Sequence, residues 1–339
     1  MGLTLQQLWN NGRKRLEEAK IFEHDLDARY LLLEAFQMDM AHFLIKRNEK
    51  LDMEDARVVQ EAELYNGWIE RRSKRIPLQH LSGKQEFMGL EFSVNEHVLI
   101  PRQDTETLVE LVMERCTVLR PGEKRDVRLL DMCTGSGCIA VSLGVLGGYR
   151  DVTAVDISRK ALETAYGNAE HCLEKAGCSI IQKMQEPKGI KKDSSSWKAC
   201  LAWTSEEKNT ILTGKFTLME SDLFQNLDKF LKYDIIVSNP PYIASKVIEG
   251  LEPEVRDYEP RLALDGAEDG LYFYRRLAKE GKEYLAEGGD MFLEIGYDQG
   301  EAVTSLLEEN GFINIEVIKD GAGLDRVVHG SLPSYIQRM

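Results

Sequence analysis

The residue types best suited to binding a planar amino group lie in the segment 239–242, which reads Asn-Pro-Pro-Tyr. An apolar run directly before it predicts a buried strand, so the segment begins where that strand ends. Pro240 and Pro241 fix φ and donate no backbone hydrogen bond, which makes the segment rigid. The Asn239 side-chain oxygen and the Pro240 carbonyl can each accept one hydrogen of an NH2 group, and the Tyr242 ring can stack on its plane. A strand-terminating turn is the alternative, but the sequence favours a site for an amide or an amine.

A second candidate site is a turn with two glycines, Gly135 and Gly137, which follows a strand pattern at 127–132 and precedes an apolar helix pattern. Glycine has no Cβ and readily takes positive φ, so such a turn lets a cofactor approach the backbone closely. Asp156 ends the next strand pattern, where a doubly wound fold places the carboxylate that binds ribose hydroxyls. This pair of features indicates a cofactor that contains adenosine. The third glycine of Gly-x-Gly-x-x-Gly is missing, which disfavours a pyrophosphate-binding loop. A structural turn, with Asp156 as a helix cap, is the alternative.

The elements that must position these residues form an alternation of strands and helices in the region 103–339, which is typical of a parallel sheet wrapped by helices. Residues 4–20, 25–37 and 53–74 carry helical periodicity and predict a small helical bundle over 1–75, and residues 76–102 predict a β-hairpin linker. Residues 182–215 are rich in lysine and serine and predict a surface insertion with partial order. The predicted strands lie at 127–132, 152–156, 216–220, 233–238, 290–295 and 313–317.

Composition excludes several classes of protein. Lys and Arg number 43 against 57 Asp and Glu, a formal net charge of −14, so a general nucleic-acid binder is disfavoured. No apolar run reaches the roughly 18 residues of a membrane span, and the first residues do not resemble a signal peptide, so we expect a cytoplasmic protein. The six cysteines form no Cys-x-x-Cys pair, and free thiols are expected. His171, Cys172 and Cys178 lack a fourth ligand at a recognisable spacing, so no metal site is expected.

Together with these features, four longer segments give the chain a specific resemblance. From about residue 78 to 330 it resembles the peptide chain release factor glutamine methyltransferase family of the PrmC or HemK type. The resemblance implies a Rossmann-like S-adenosylmethionine-dependent methyltransferase fold, an α/β class with a doubly wound, mostly parallel sheet and a small N-terminal helical domain. The segments are Gly-Lys-Gln-Glu-Phe-Met-Gly-Leu at 83–90, Ile-Pro-Arg-Gln-Asp-Thr-Glu at 100–106, Tyr-Glu-Pro-Arg-Leu-Ala-Leu-Asp-Gly at 258–266 and Ala-Gly-Leu-Asp-Arg at 322–326.

The resemblance also implies the activity and the site residues. The activity is methylation of the side-chain amide nitrogen of the glutamine in the Gly-Gly-Gln motif of release factors, which are the expected partners. Because the glycine loop lies wholly in the later α/β part, the helical bundle at 1–75 is expected to dock this protein substrate and not the cofactor. The implied S-adenosylmethionine site consists of Cys133, Thr134, Gly135, Ser136, Gly137, Asp156, Leu223 and Asn239. The implied acceptor site consists of Asn239, Pro240, Pro241 and Tyr242. Tyr258, Glu259, Pro260 and Arg261 are expected to support the pocket.

Some positions depart from the family pattern or stay ambiguous. Cys133 stands where glycine is commonest in the family, Gln103 where proline is usual and Asp104 where glutamate is usual. The insertion at 182–215 is longer than the usual connection. Arg102 and Glu106 could border the acceptor entrance, but a surface ion pair and a charge at a helix start explain them equally well.

The proposed catalytic residues are Asn239, Pro240 and Tyr242. A primary amide is a weak nucleophile because resonance draws its nitrogen lone pair into the carbonyl. Acceptance of both amide hydrogens by Asn239 and the Pro240 carbonyl would aim the nitrogen at the methyl group, and the proton can leave after transfer. Three alternatives stay open: methylation of a ribosomal-protein glutamine, methylation of an adenine or cytosine amino group, and a non-catalytic S-adenosylmethionine-binding adaptor. We expect a monomer that binds neither membrane nor, stably, nucleic acid.

Overall fold

The computed structural model describes residues 3–119, 127–185, 197–207 and 210–334, and the chain divides into two units. The first unit comprises Met1–Lys84 and Glu252–Tyr258, and the second comprises Gln85–Leu251 and Glu259–Met339. In the described part of the chain, no helix is long and apolar enough to cross a membrane.

The helices and strands follow the chain in this order. The helices are α1 (Leu5–Glu18), α2 (His24–Ala35), α3 (Met40–Lys46), α4 (Ala56–Arg72), α5 (Leu78–Ser82), α6 (Glu106–Leu119), α7 (Cys138–Val145), α8 (Arg159–Lys175), α9 (Ser245–Ile248), α10 (Pro253–Arg256), α11 (Arg261–Leu264), α12 (Tyr272–Gly281) and α13 (Gly300–Glu309). The strands are β1 (Lys84–Phe87), β2 (Leu90–Ser93), β3 (Arg128–Met132), β4 (Asp151–Asp156), β5 (Ser179–Gln185), β6 (Lys198–Glu207), β7 (Thr210–Glu220), β8 (Tyr233–Ser238), β9 (Leu285–Glu294), β10 (Ile313–Lys319) and β11 (Asp325–Ser331). A 3-10 helix, Gln103–Thr105, precedes α6.

The first unit contains α1 to α5, whose apolar faces form a core of their own around Leu31, Phe43 and Tyr65. The helix α1 begins at a capping box in which Thr4 Oγ1 accepts from the Gln7 backbone N–H at 3.2 Å. Sequence periodicity did not predict α3, because seven residues are too few to show a helical repeat. Its start is instead set by Asp39, which accepts from the His42 backbone N–H at 2.7 Å.

The bounds of this unit differ from the predicted bundle at 1–75. The unit extends to Lys84 and includes α10, which the sequence analysis assigned to the region 103–339. The physical reason is a buried ion-pair cluster: Arg72 Nε lies 2.7 Å from Asp27 Oδ2, and Arg72 Nη1 lies 2.9 Å from Glu254 Oε1. Arg75 pairs in turn with Glu254 at 3.2 Å. These partners are far apart in sequence, so no local sequence pattern predicts that they pair.

The second unit is built around a sheet whose strand order, in the described residues, is β10-β11-β9-β8-β3-β4-β7-β6-β5. Only β11 and β6 run against the direction of the other strands, so the sheet is mostly parallel. This confirms the predicted α/β class with a doubly wound sheet and an N-terminal helical domain. The chain leaves β3 toward β4 on one side and returns to β8 on the other, so β3 lies at the topological switch point, where such sheets bind ligands.

The prediction of a partly ordered surface insertion at 182–215 is wrong for the described residues of this segment, which lie mostly in strands. Strands β5 and β6 pair antiparallel and extend the sheet beyond β7, which itself begins at Thr210. Trp197, Ala199, Leu201 and Trp203 are buried, while Lys198 between them is exposed. This alternation is a strand pattern, but the lysine-rich composition around it obscured the pattern. The serine run at 194–196 lies outside the described residues.

Candidate functional site

A cavity of about 300 Å³ opens at the carboxyl ends of the central strands of the second unit. The register explains the location, because β3 pairs in parallel with both β4 and β8, with Met132 opposite Val155 on one side and Ser238 on the other. The loops that follow these three strands therefore start side by side. Predicted site residues that line the cavity are Cys133, Thr134, Gly135, Ser136, Asp156, Leu223, Asn239 and Pro241, whereas Gly137, Pro240 and Tyr242 do not line it.

The glycine loop is held by a buried carboxyl group, Asp131, one residue before the end of β3. Its Oδ2 accepts from the Thr134 hydroxyl at 2.5 Å and from the Ala140 backbone N–H at 3.2 Å, which ties the strand to the first turn of α7. Burial raises the pKa of Asp131 to about 7. Gly135 has φ +55°, and a Cβ there would meet no protein atom within 4 Å. Backbone conformation and open space toward the cavity, not protein packing, account for a glycine at this position.

Cys133 also has positive φ, +63°, although it is not a glycine. The family pattern of glycine at this position is therefore explained by backbone conformation, and the small thiol is tolerated there. Burial raises the pKa of the thiol, so it stays protonated at neutral pH. Gly137, with φ +80°, is the residue directly before α7, and a Cβ there would lie 3.0 Å from the Ala165 Cβ of α8. Both the backbone conformation and the close packing of α7 on α8 therefore favour glycine at this position.

Asp156 links the two sides of the candidate cofactor site. Its Oδ2 accepts from the Gly135 backbone N–H at 2.9 Å, and its Oδ1 accepts from the Ser158 backbone N–H at 2.8 Å. Burial raises its pKa, and these two backbone hydrogen bonds oppose the shift. The cap of α8 is Ser158, whose side chain accepts from the Ala161 N–H, so the helix does not need Asp156 as its cap. Each carboxylate oxygen has a further lone pair that can accept a hydrogen bond from a ligand hydroxyl.

The segment after β8 lies against two glycines. A Cβ on Gly266 would lie 2.8 Å from the Tyr242 Cα, and a Cβ on Gly270 would lie 2.3 Å from the Tyr242 carbonyl oxygen. Gln299 Nε2 donates to that same oxygen at 3.1 Å, while Gln299 Oε1 accepts from the Gly296 N–H at 2.9 Å. Burial raises the pKa of the Tyr242 phenol to about 12, so the ring is neutral at physiological pH. The sequence analysis missed Gln299 and Gly270, since only the register and loop structure bring them here.

Arg102 and Glu106 have separate positions. Arg102 lines the cavity and forms an ion pair with Glu259, a nearly fully buried carboxylate. Burial raises the pKa of Glu259, and the Arg102 guanidinium opposes that shift. Glu106 does not line the cavity; its Oε1 accepts from the Met88 backbone N–H at 2.6 Å. Of the two, only Arg102 is placed to meet a ligand.

The segment 258–261 is divided between roles. Pro260 lines the cavity, whereas Arg261 is exposed and pairs with Glu249 and Asp265. Tyr258 belongs to the first unit, where its hydroxyl donates to the Lys74 carbonyl at 2.9 Å. Support of the pocket therefore comes from Glu259 and Pro260 and not from the whole segment.

The wall beside Leu223 contains charged and aromatic residues that the sequence analysis did not identify. Leu223 has φ +49° and lines the cavity together with Tyr272 and Arg276 of α12. Arg276 Nη1 lies 2.6 Å from Asp222 Oδ1, and its guanidinium carbon lies 5.9 Å from the centre of the Tyr272 ring. In the described part of the chain, no group of three or more His, Cys, Asp and Glu side chains could hold a metal ion.

Comparison with known proteins gives consistent results. Residues 7–83 match the family described as the PrmC N-terminal domain. The chain is 34% identical over 329 residues to a release factor glutamine methyltransferase of Geobacter sulfurreducens, covering 97% of each chain. It is 33% identical over 327 residues to the enzyme of the same name from Clostridium botulinum, covering 96% of this chain and 98% of that one. A crystal structure of a release factor-specific protein-(glutamine-N5) methyltransferase from Alicyclobacillus acidocaldarius is 28% identical, with a TM-score of 0.35, over 71% of this chain and 99% of that chain.

Proposed function

The chain belongs to the release factor glutamine methyltransferase family. We propose that it transfers the methyl group of S-adenosylmethionine to a glutamine of peptide chain release factors. The methyl acceptor is the side-chain amide nitrogen of the glutamine in their Gly-Gly-Gln motif. The observation that carries this proposal is that Gly135 of the glycine loop, Asp156 and Asn239 line the same cavity. Similarity to release factor glutamine methyltransferases over 97% of the chain supports it.

The described residues fit S-adenosylmethionine on the cofactor side. Gly135 leaves open space where any Cβ would stand, and Asp156 retains lone pairs for the two ribose hydroxyls. Leu223 offers an apolar surface to the adenine, and Cys133, Thr134 and Ser136 complete the wall. When bound, the cofactor supplies a methyl group on a positively charged sulfur.

On the acceptor side, Asn239 lines the cavity, and its Oδ1 accepts one hydrogen of the glutamine amide. The proposal assigns the second hydrogen to the Pro240 carbonyl and the amide plane to the neutral Tyr242 ring, which follow Asn239 in the chain but do not themselves line the cavity. The Gln299 hydrogen bond to the Tyr242 carbonyl supports a fixed position for this segment. Orientation of this kind lowers a barrier by several kcal/mol, and acceptors that favour positive charge on the nitrogen add to it. The proton leaves once the nitrogen has become acidic.

The proposal is tested by incubating the purified chain with methyl-labelled S-adenosylmethionine and a purified release factor. Label on the glutamine, and none on a factor whose Gly-Gly-Gln glutamine is changed to alanine, is the expected result. A ribosomal protein that carries a methylatable glutamine and an adenine-containing oligonucleotide serve as competing acceptors. Label on either of these, with none on the release factor, would overturn the assignment.

Asp156→Ala is expected to weaken S-adenosylhomocysteine binding by about 1 to 3 kcal/mol, because charged hydrogen bonds to the ribose are lost. Calorimetric titration measures the dissociation constant. Asp151→Ala is the matched control, since Asp151 starts the same strand at its opposite end. An unchanged dissociation constant in folded Asp156→Ala protein would remove Asp156 from the binding site.

We propose that the helical unit docks the protein substrate and that a monomer acts in the cytoplasm. The surface of the helical unit carries large apolar side chains, with Phe22 96% and Ile45 73% exposed. The double variant Phe22→Ser/Ile45→Ser should raise the KM for release factor by about fivefold or more, the effect of losing apolar interface contacts, without changing cofactor affinity. The control is Phe230→Ser/Ile211→Ser, two equally exposed residues of the second unit. Equal KM values for the two double variants would contradict the docking role.

A further inference from the structure

Glu294, the last residue of β9, is a buried carboxyl group to which the mechanism above gives no role. It is 1% exposed, and its Oε2 has no hydrogen-bond partner among the described residues. A buried carboxyl oxygen without a partner is costly, so its retention calls for an explanation. Strand register supplies its neighbour: Leu293 lies opposite Ser238 in the parallel pair of β9 and β8, and Glu294 and Asn239 directly follow this pair.

The second neighbour is Thr105, from the 3-10 helix, which is also buried. Asn239 Nδ2 donates to Thr105 Oγ1 at 3.2 Å. Thr105 and Asn239 both line the cavity, whereas Glu294 does not, so the carboxyl group lies behind them. The Thr105 hydroxyl can donate its own hydrogen, and the Asn239 NH2 group can donate the hydrogen that it does not give to Thr105. The Glu294 carboxylate is the acceptor for both hydrogens.

We propose that Glu294 is a positioning residue that selects the orientation of the Asn239 side-chain amide. An ionised carboxylate can only accept hydrogen bonds, so it holds the NH2 end of Asn239, directly and through Thr105, and leaves Oδ1 turned toward the acceptor. In the flipped orientation, the Asn239 NH2 group would meet the NH2 group of the substrate, donor against donor. This inference rests on the proposed function and adds to it the residue that makes Asn239 an acceptor.

The proposal makes the orientation dependent on pH. Burial raises the pKa of Glu294 to about 7, while the Thr105 hydroxyl, the Arg326 guanidinium and the Asn239 amide oppose the shift. Below that pH the protonated carboxyl can donate to Asn239 Oδ1 and so stabilise the flipped amide. Transfer should therefore be slow at low pH and rise as the pH increases through about 7. The charged or titratable groups that face Glu294 from the surrounding elements are Arg326 of β11, Asp104 of the 3-10 helix, Tyr242 after β8, Tyr274 of α12 and Cys138 of α7.

Most of these neighbours keep one charge state near neutral pH. Burial raises the pKa of Tyr242 and of Cys138 to about 12 and raises the pKa of Tyr274 well above its usual value, so all three stay neutral. Arg326 stays charged and is held by Asp320 at 2.9 Å, with Asp104 at 3.3 Å. Asp131 could also produce an inflection in the pH dependence of the transfer rate, because burial raises its pKa to about 7 as well.

The test compares Glu294→Gln with the wild-type chain in single-turnover transfer on both sides of pH 7. Glutamine keeps the size of the side chain but can donate as well as accept, so it no longer selects one amide orientation. We expect the rate above pH 7 to fall by about tenfold to a hundredfold, with the inflection near pH 7 lost and the cofactor dissociation constant unchanged. Glu287→Gln, at an exposed position of the same strand, is the matched control. An inflection retained in Glu294→Gln would assign the titration to Asp131 and overturn the proposal, and so would a wild-type rate.

Two further measurements keep the outcome decisive. Thr105→Val removes the hydroxyl that links Asn239 to Glu294 at nearly constant volume. It should also slow transfer without loss of cofactor affinity. Equal loss of rate and affinity would indicate a merely structural role and overturn the proposal.

In wild-type protein, the side-chain NH2 resonances of Asn239, identified by their absence in Asn239→Asp, should shift with a midpoint near pH 7. This shift should vanish in Glu294→Gln. If the shift is present but the release factor is not methylated, the proposed function fails and the positioning role stands. If methylation proceeds without the shift, the positioning role fails.

Discussion

Asn239→Ala is expected to lower the single-turnover rate of methyl transfer to release factor by about 100-fold to 1,000-fold, the usual effect of losing one preorganised electrostatic contact. Alanine lacks the oxygen that accepts a hydrogen of the glutamine amide. The fold should survive, because the Asn239 side chain faces a cavity and its NH2 group bonds to the side chains of Thr105 and Glu294 within the site. Cofactor affinity should change much less than the rate.

Asn239→Asp is the sharper comparison, since aspartate keeps an oxygen acceptor at nearly the same size but loses the NH2 group. We expect an activity between those of wild type and alanine. The assay follows labelled methyl from S-adenosylmethionine to release factor, and Asn310→Ala, at the end of α13 and away from the cavity, controls for the substitution itself. Near-normal transfer by folded Asn239→Ala protein would rule out the proposed mechanism.

Arg72→Ala should destabilise the helical unit by about 3 to 5 kcal/mol, the usual cost of leaving a buried charge without its partner. Arg72 is 8% exposed and Asp27 is 5% exposed, so water cannot replace the lost guanidinium. Glu254 of α10 loses the same partner and keeps its pairing with Arg75.

Chemical denaturation followed by the helical circular dichroism signal measures this loss. Arg57→Ala is the matched control, because Arg57 lies on the same helix and pairs with Glu61 at the surface, where such a pair contributes little. A loss for Arg72→Ala no larger than that for Arg57→Ala would show that the buried cluster does not hold the unit together.

Sequence periodicity could predict β4, β8 and the end of β9 because each contains an apolar run that is followed by a polar residue. Parallel strands then bring those ends to one edge, so Asp156 and Asn239 could be expected close together before any coordinates were known. Glu294 ends such a run as well, at the end of β9. Its role depends on the register between β8 and β9 and on a 3-10 helix more than 130 residues before Asn239, neither of which leaves a local signal.

Residues that hold the backbone were equally hidden from sequence reasoning. Gln299 reaches the Tyr242 carbonyl across 57 residues of chain, and Arg72 reaches Glu254 across 182. Each is an ordinary polar residue in its own helical surroundings. The strand β6 was not predicted for a different reason. The average composition of its segment is typical of a loop, although the alternation of Ala199, Leu201 and Trp203, which are buried, is typical of a strand.

The two strands that β5 and β6 add to the sheet change which part of the molecule can open first. Without them β7 would be an edge strand, and an edge strand frays at low free energy cost. With them, β7 is paired on both sides, by β4 and by β6, up to Glu220, whose N–H also donates to the Trp197 carbonyl at 2.8 Å. Ser221 and Leu223 follow directly, and Ser221 is fixed to the Asp156 carbonyl at 2.9 Å. Local unfolding of the cavity wall at Ser221 and Leu223 therefore requires the opening of an interior strand, while fraying on this side of the sheet is confined to β5, two strands away from β7.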